Sequence, residues 1–120
     1  MALALDDTVG LLRSLGDPTR VRLLHLLDTE EFSVAELTRI TELPQSRVST
    51  HLGKLRECGL LRDRRAGGST FYGVAEDGLS ETARRLWHGV RDGVDDETLE
   101  ADRRRKDAVV AARRSQTRAW

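Results

Sequence analysis

The sequence predicts a mainly α-helical domain with one small β-hairpin, in the order of a winged helix-turn-helix. Three observations support this fold class. A capping pair at Ser33 starts one helix, Pro44 starts another after a short turn, and a hairpin follows around Gly67 and Gly68. We expect the helices on either side of residues 33–74 to support this central unit.

Length and charge limit the possible functions. The chain has 120 residues, which is enough for one domain with a modest core. Lys and Arg together number 20, as do Asp and Glu, so the net charge of the whole chain gives no signal for nucleic-acid binding. The charges are unevenly distributed, however, because residues 44–74 carry a basic excess where DNA phosphates would need it. Its basic residues are Arg47, Lys54, Arg56, Arg62, Arg64 and Arg65, against Glu57 and Asp63.

Cysteine content and hydropathy indicate the compartment. The single cysteine excludes an internal disulfide framework, and no apolar run is long enough for a signal peptide or a membrane span. We therefore expect a cytoplasmic protein with no membrane partner.

Two helices precede the central unit. The first lies within residues 1–15, carries Leu5, Val9 and Leu12 on one face, and ends near Gly16. Such a face can pack across a dimer. In the next helix Asp17 is the expected N-cap and Pro18 the first helical residue. Its buried face consists of Val21, Leu23, Leu24, Leu26 and Leu27.

The predicted helix-turn-helix begins at Ser33, which forms a capping box with Glu36. The second helix should open at Pro44, because proline is well tolerated in the first turn of a helix. The spacing of Val48, Leu52 and Leu55 buries one face and turns a polar face outward. The alternative interpretation of that polar face is a merely solvated surface. The candidate DNA contacts on this helix are Gln45, Ser46, Arg47, Ser49, Thr50, His51 and Lys54.

The predicted wing pairs residues 60–65 with residues 69–74 around a tip of Ala66, Gly67 and Gly68. Glycine supplies the positive φ that a tight hairpin needs. Tyr72 and Val74 should face the helices and leave Phe71 partly outward. Arg64, Arg65 and Ser69 are the candidate DNA contacts of the wing, and the alternative is a solvated edge strand protected by charge.

After the wing the hydrophobic period becomes helical again. Leu79, Ala83, Leu86 and Val90 form a stripe with Trp87 beside it, and we expect these residues in a dimer interface with the first helix. For Trp87, the alternative to a dimer anchor is a core residue of the protomer.

The C-terminal segment should form another helix, which opens at Asp95-Asp96-Glu97. Because Leu99, Val109 and Val110 do not sustain a core stripe, this helix is expected to project, to pack on the dimer, or to lead into a further part. The expected division is a winged-helix and dimerisation domain at residues 1–94 and a helical extension or linker at residues 95–120.

Residues 17–24 (DPTRVRLL) and 45–61 (QSRVSTHLGKLRECGLL) resemble the ArsR/SmtB family of bacterial winged-helix repressors, over roughly residues 10–90. The resemblance implies a homodimer on an inverted-repeat operator, with recognition helix 44–58, wing 60–74 and release by an effector. Half-sites would lie about 34 Å apart. Residues 100–114 resemble the linker of fusions with S-adenosylmethionine-dependent methyltransferases, so a regulatory or protein-docking module of such a fusion is the alternative.

No nucleophile and base, phosphate loop or metal cluster indicates an enzyme, and we expect no cofactor. Ser33 and Ala35 stand where the resembled family has a cysteine pair, and Asp77 with His88 does not complete its other metal site. We therefore expect no bound metal and leave the effector unidentified. Cys58 is either a packing residue or a thiol switch.

Overall fold

The structure is a computed structural model that describes residues 2–118. It has six α-helices and a three-stranded antiparallel sheet within those residues. The elements are α1 (Leu5–Leu15), α2 (Pro18–Leu27), β1 (Phe32–Ser33), α3 (Val34–Thr41), α4 (Gln45–Glu57), β2 (Leu61–Ala66), β3 (Ser69–Val74), α5 (Glu81–Gly93) and α6 (Glu97–Arg118), with a 3-10 turn at Glu76–Gly78. The mainly helical winged helix-turn-helix is confirmed.

The local start signals act as expected. The Asp17 carboxylate accepts a hydrogen bond from the Arg20 backbone N–H at 3.1 Å, and Ser33 and Glu36 form both bonds of the capping box. Recognition helix α4 begins one residue later than predicted. Pro44 is its N-cap, and the Pro44 carbonyl accepts hydrogen bonds from the N–H groups of Arg47 and Val48.

The wing is the β2–β3 hairpin, residues 61–74. Gly67 and Gly68 form its two-residue loop with φ of 57° and 82°, a conformation that suits glycine at both positions. Strand β1, which was not predicted, pairs with the other edge of β3 and places Phe32 opposite Tyr72. Two residues are too few to show a strand period, so the sequence carries no signal for β1.

Trp87 belongs to the core of its own protomer. Its side chain is 0% exposed, its Nε1 donates a hydrogen bond to Asp28 Oδ1 at 3.2 Å, and its ring meets His25 edge-on. The prediction of Trp87 as a dimer anchor is therefore wrong, and the alternative holds. Leu79, which precedes α5, and Ala83 of α5 are also buried within the protomer, because this stripe packs inward. Helical periodicity identifies a buried face but not the partner that covers it.

Helix α6 packs against α2 and α3 of the same protomer, an arrangement that the sequence did not indicate. Leu99 and Asp102 are its buried residues, with 5% and 1% exposure. Leu99 is buried and Val109 and Val110 pack half-buried against the core, so α6 docks through a few separated apolar side chains and polar contacts rather than through a continuous apolar stripe. A functional division at residue 94 stays a prediction.

Candidate nucleic-acid interface

Helix α4 has the two faces that its sequence predicts. Val48, Leu52 and Leu55 are completely buried, so the opposite side of the helix is turned to solvent. Thr50 Oγ1 donates a hydrogen bond to the Ser46 carbonyl at 2.8 Å, yet the side chain remains exposed. The exposed candidates are Gln45, Ser46, Arg47, Ser49, Thr50 and Lys54. This face offers an amide, three hydroxyls and two cations, groups that can reach base edges and phosphates.

His51 is not part of that outward face. It is half-buried at the flank of α4 that meets the start of α2, and its Nδ1 is buried without a hydrogen-bond partner in residues 2–118. Burial, together with the charges of Arg20, Arg47 and Lys54, lowers the pKa of His51 although nearby Asp17 opposes the shift. The structure therefore places His51 beside the predicted interface.

Glu31 forms ion pairs with two arginines of the wing. Its Oε1 lies 2.7 Å from Arg64 Nε, and its Oε2 pairs with Arg62 Nη1. The hydrogen bonds from Arg62 and Arg64 hold the pKa of Glu31 below its usual value, although burial opposes them. The Arg64 guanidinium also lies over the Phe71 ring at 5.2 Å. Arg64, predicted to contact DNA, is thus engaged within its own protomer.

Arg65 and Ser69 differ from Arg64. Both are exposed near the tip of the wing, and Arg65 forms no ion pair in the described part of the chain.

On the same hairpin Asp63 pairs with Arg56 at 2.8 Å. Within residues 44–74, the basic side chains without an acidic partner in the described structure are therefore Arg47, Lys54 and Arg65. Sequence reasoning missed Glu31 because only the tertiary fold brings it to the wing.

Only some of the residues predicted for the dimer interface are exposed or half-buried in the protomer. On α1, Leu5, Val9 and Leu12 are 78%, 37% and 50% exposed, which is unusual for large apolar side chains in a row. On α5, Leu86 and Val90 are half-buried. These five residues leave apolar side chains on α1 and α5 that a second protomer could cover, and their role as an interface stays a prediction.

The candidate effector groups are dispersed. Between residues 2 and 118 the structure contains no group of three or more His, Cys, Asp or Glu side chains arranged to hold a metal ion. His88 hydrogen-bonds to Glu76, and Asp77 is exposed. Cys58 is exposed, and its Sγ donates a hydrogen bond to the Leu55 carbonyl at 3.3 Å.

Within the described residues, no helix combines the length and apolar character needed to cross a membrane.

Sequence and structure comparisons agree with this geometry. The profile described as "Bacterial regulatory protein, arsR family" matches residues 17–63. The arsenic resistance transcriptional regulator ArsR1 of Pseudomonas putida is 46% identical over 61 residues, which are 50% of this chain and 48% of that protein. A biofilm growth-associated repressor of Xylella fastidiosa is 33% identical over 82 residues, covering 68% of this chain and 72% of the repressor.

A solved structure is similar in both fold and sequence. It is the homodimeric winged helix-turn-helix DNA-binding domain of a possible ArsR-family transcriptional regulator from Mycobacterium bovis. The TM-score is 0.63 at 27% identity, with 74% of this chain and 79% of that chain covered. Against four curated relatives the matched stretch spans only 48% to 66% of the relative's length. The profile match, the relatives and the shared fold together show that this chain belongs to the ArsR family of bacterial regulatory proteins.

Proposed function

We propose that the chain is a transcriptional repressor that binds an inverted-repeat DNA operator as a homodimer. The observation that carries the proposal is the outward face of α4. Gln45, Ser46, Ser49 and Thr50 are exposed there, whereas the opposite face of the helix is apolar and fully buried. A helix of this kind fits the major groove, where Gln can pair bidentately with adenine. Arg65 at the wing supplies a phosphate contact beside it.

The apolar side chains exposed on α1 and half-buried on α5 support the proposed dimer. Leu5, Val9 and Leu12 would be covered if a second copy packed on them, and the homodimeric Mycobacterium bovis domain supports this assembly. Twofold symmetry would present two α4 helices to successive major grooves about 34 Å apart. Release by an effector remains part of the proposal, without an identified ligand. The relatives reported above are regulators, so they lend no support to a methyltransferase fusion.

Selection from a random duplex library by the purified protein tests the proposal. The expected product is an inverted repeat with half-sites one helical turn apart. Gln45→Ala should relax base preference at one position of each half-site, at a cost of about 1–3 kcal/mol for the preferred base. Arg85→Ala is the matched control, since Arg85 is exposed on α5 and pairs only with Glu81 within the described chain. Failure to enrich any sequence would overturn the proposal.

A further inference from the structure

Helix α4 has a second basic flank, on the side away from the wing. Arg47, His51 and Lys54 recur at four- and three-residue spacing and therefore form one stripe along the helix. Arg56 lies on the other flank, where it pairs with Asp63 of the wing. The stripe meets the beginning of α2, because α2 packs against α4 and the charges of Asp17 and Arg20 act on His51.

Arg20, in the first turn of α2, completes this flank. Its side chain is half-buried, and its Nε is buried with no hydrogen-bond partner among the described residues. The guanidinium forms no ion pair within residues 2–118. The charge of Asp17 acts on both Arg20 and His51, but its Oδ1 already accepts the Arg20 backbone N–H as the cap of α2. Arg20 is thus a half-buried cation without an ion-pair partner in the described part of the chain.

The two flanks of α4 differ in charge balance. On the wing side Asp63 and Glu31 pair with Arg56, Arg62 and Arg64. On the α2 side Arg20, Arg47 and Lys54 form no ion pair among the residues that the structure describes. A helix in the major groove runs between two phosphate backbones, and each backbone needs cations. A half-buried arginine side chain is already restricted, so it loses little conformational freedom when its planar guanidinium binds a phosphate.

We propose that Arg20 binds a backbone phosphate of the DNA duplex, on the strand opposite the one beside the wing, together with Arg47 and Lys54. This inference rests on the proposed DNA-binding function. It extends the interface from α4 and the wing to α2, a helix that otherwise supplies core leucines. A phosphate contact of this kind sets the position of α4 in the groove without reading sequence.

The test is a salt titration with a fluorescein-labelled 30-base-pair random-sequence duplex, followed by anisotropy for the wild type, Arg20→Ala, Arg20→Lys and Arg85→Ala. Removal of two phosphate contacts per dimer should reduce the slope of log K against log salt by about 1.8. With the affinity extrapolated to 1 M salt unchanged, this corresponds to roughly sixty-fold weaker binding at 0.1 M salt. Arg20→Lys should keep most of the slope, and Arg85→Ala should keep all of it.

An Arg20→Ala variant that melts like the wild type and keeps the wild-type slope would overturn the inference and leave the repressor proposal intact. If Arg20→Ala does not fold, Arg20→Gln, which keeps the length and hydrogen bonding of the side chain but not its charge, is held to the same slope criterion. Absence of duplex binding by the wild type would instead overturn the proposed function and this inference with it.

Discussion

Arg22 of α2 and Asp102 of α6 form a two-pronged ion pair, with Nε–Oδ2 at 2.8 Å and Nη2–Oδ1 at 2.9 Å. Asp102 is 1% exposed, and Arg22 Nη2 also donates a hydrogen bond to the Thr41 carbonyl at the end of α3. The hydrogen bonds to Asp102 raise the pKa of Arg22 against the effect of burial. One pair, 80 residues apart in sequence, thus ties α6 to both α2 and α3.

Asp102→Ala should lower the free energy of unfolding by about 3–5 kcal/mol, because it leaves the Arg22 guanidinium partly buried without its carboxylate. Urea denaturation followed by circular dichroism measures the change. Asp107→Ala, an exposed acid on the same helix, should stay within about 0.5 kcal/mol of the wild type. A cost below about 1 kcal/mol for Asp102→Ala would show that α6 does not depend on the pair.

Glu31→Gln should strengthen DNA binding. The substitution removes the carboxylate that pairs with Arg62 and Arg64, so both arginines become available to phosphates and the salt slope becomes steeper. The stability cost should be at most about 1 kcal/mol, because both arginines are exposed and screened. Anisotropy on a random-sequence duplex measures the slope, with Glu81→Gln as the control. Weaker binding by Glu31→Gln would mean that Glu31 positions the wing.

Gly53→Ala should have opposite effects on protein stability and on DNA binding. A Cβ at Gly53 meets no atom within 4 Å in the protomer, so alanine should stabilise α4 by up to about 1 kcal/mol. If the DNA backbone approaches this position closely, the same methyl group should weaken duplex binding. Thermal melting and anisotropy measure the two effects. Unchanged affinity in a stabilised variant would place Gly53 away from the DNA.

Leu12→Glu should convert the dimer to a monomer, since it places a charge in the apolar surface of α1 where Leu12 is 50% exposed. The monomer should keep its fold, because the side chain contributes little to the protomer core. Sedimentation velocity measures the mass, and Arg85→Ala again serves as a control. A Leu12→Glu protein that remains dimeric would move the interface elsewhere.

Stability should fall when the pH is lowered from about 7 to 5. Burial lowers the pKa of both His25 and His51 below 6.5, so the unfolded chain binds these protons more tightly than the folded protein does. The contribution of the two neutral histidines to the free energy of unfolding is fully present above their pKa in the unfolded chain. It is lost as the pH falls through their pKa values in the folded protein. A double variant with both histidines replaced by Gln should show a smaller loss in urea titrations. The same loss in this variant would exclude the histidines as its cause.

Local signals in the sequence determined the helix starts, the hairpin tip and the two faces of α4. The cap at Asp17, the capping box of Ser33 and Glu36, and the glycine pair at 67 and 68 act within a few residues. Such patterns specify the winged helix because caps, turn geometry and periodic burial depend on neighbours in the chain.

The tertiary structure alone decided which partners meet across long separations. It buried Trp87 in the protomer, docked α6 through Asp102, and brought Glu31 to Arg64. The spacing of apolar residues can indicate that a helix face is buried, and the sequence shows where charged residues stand. Neither identifies the distant group that covers the face or neutralises the charge. The charge available to DNA was therefore a property of the folded chain, not of the basic residues counted along it.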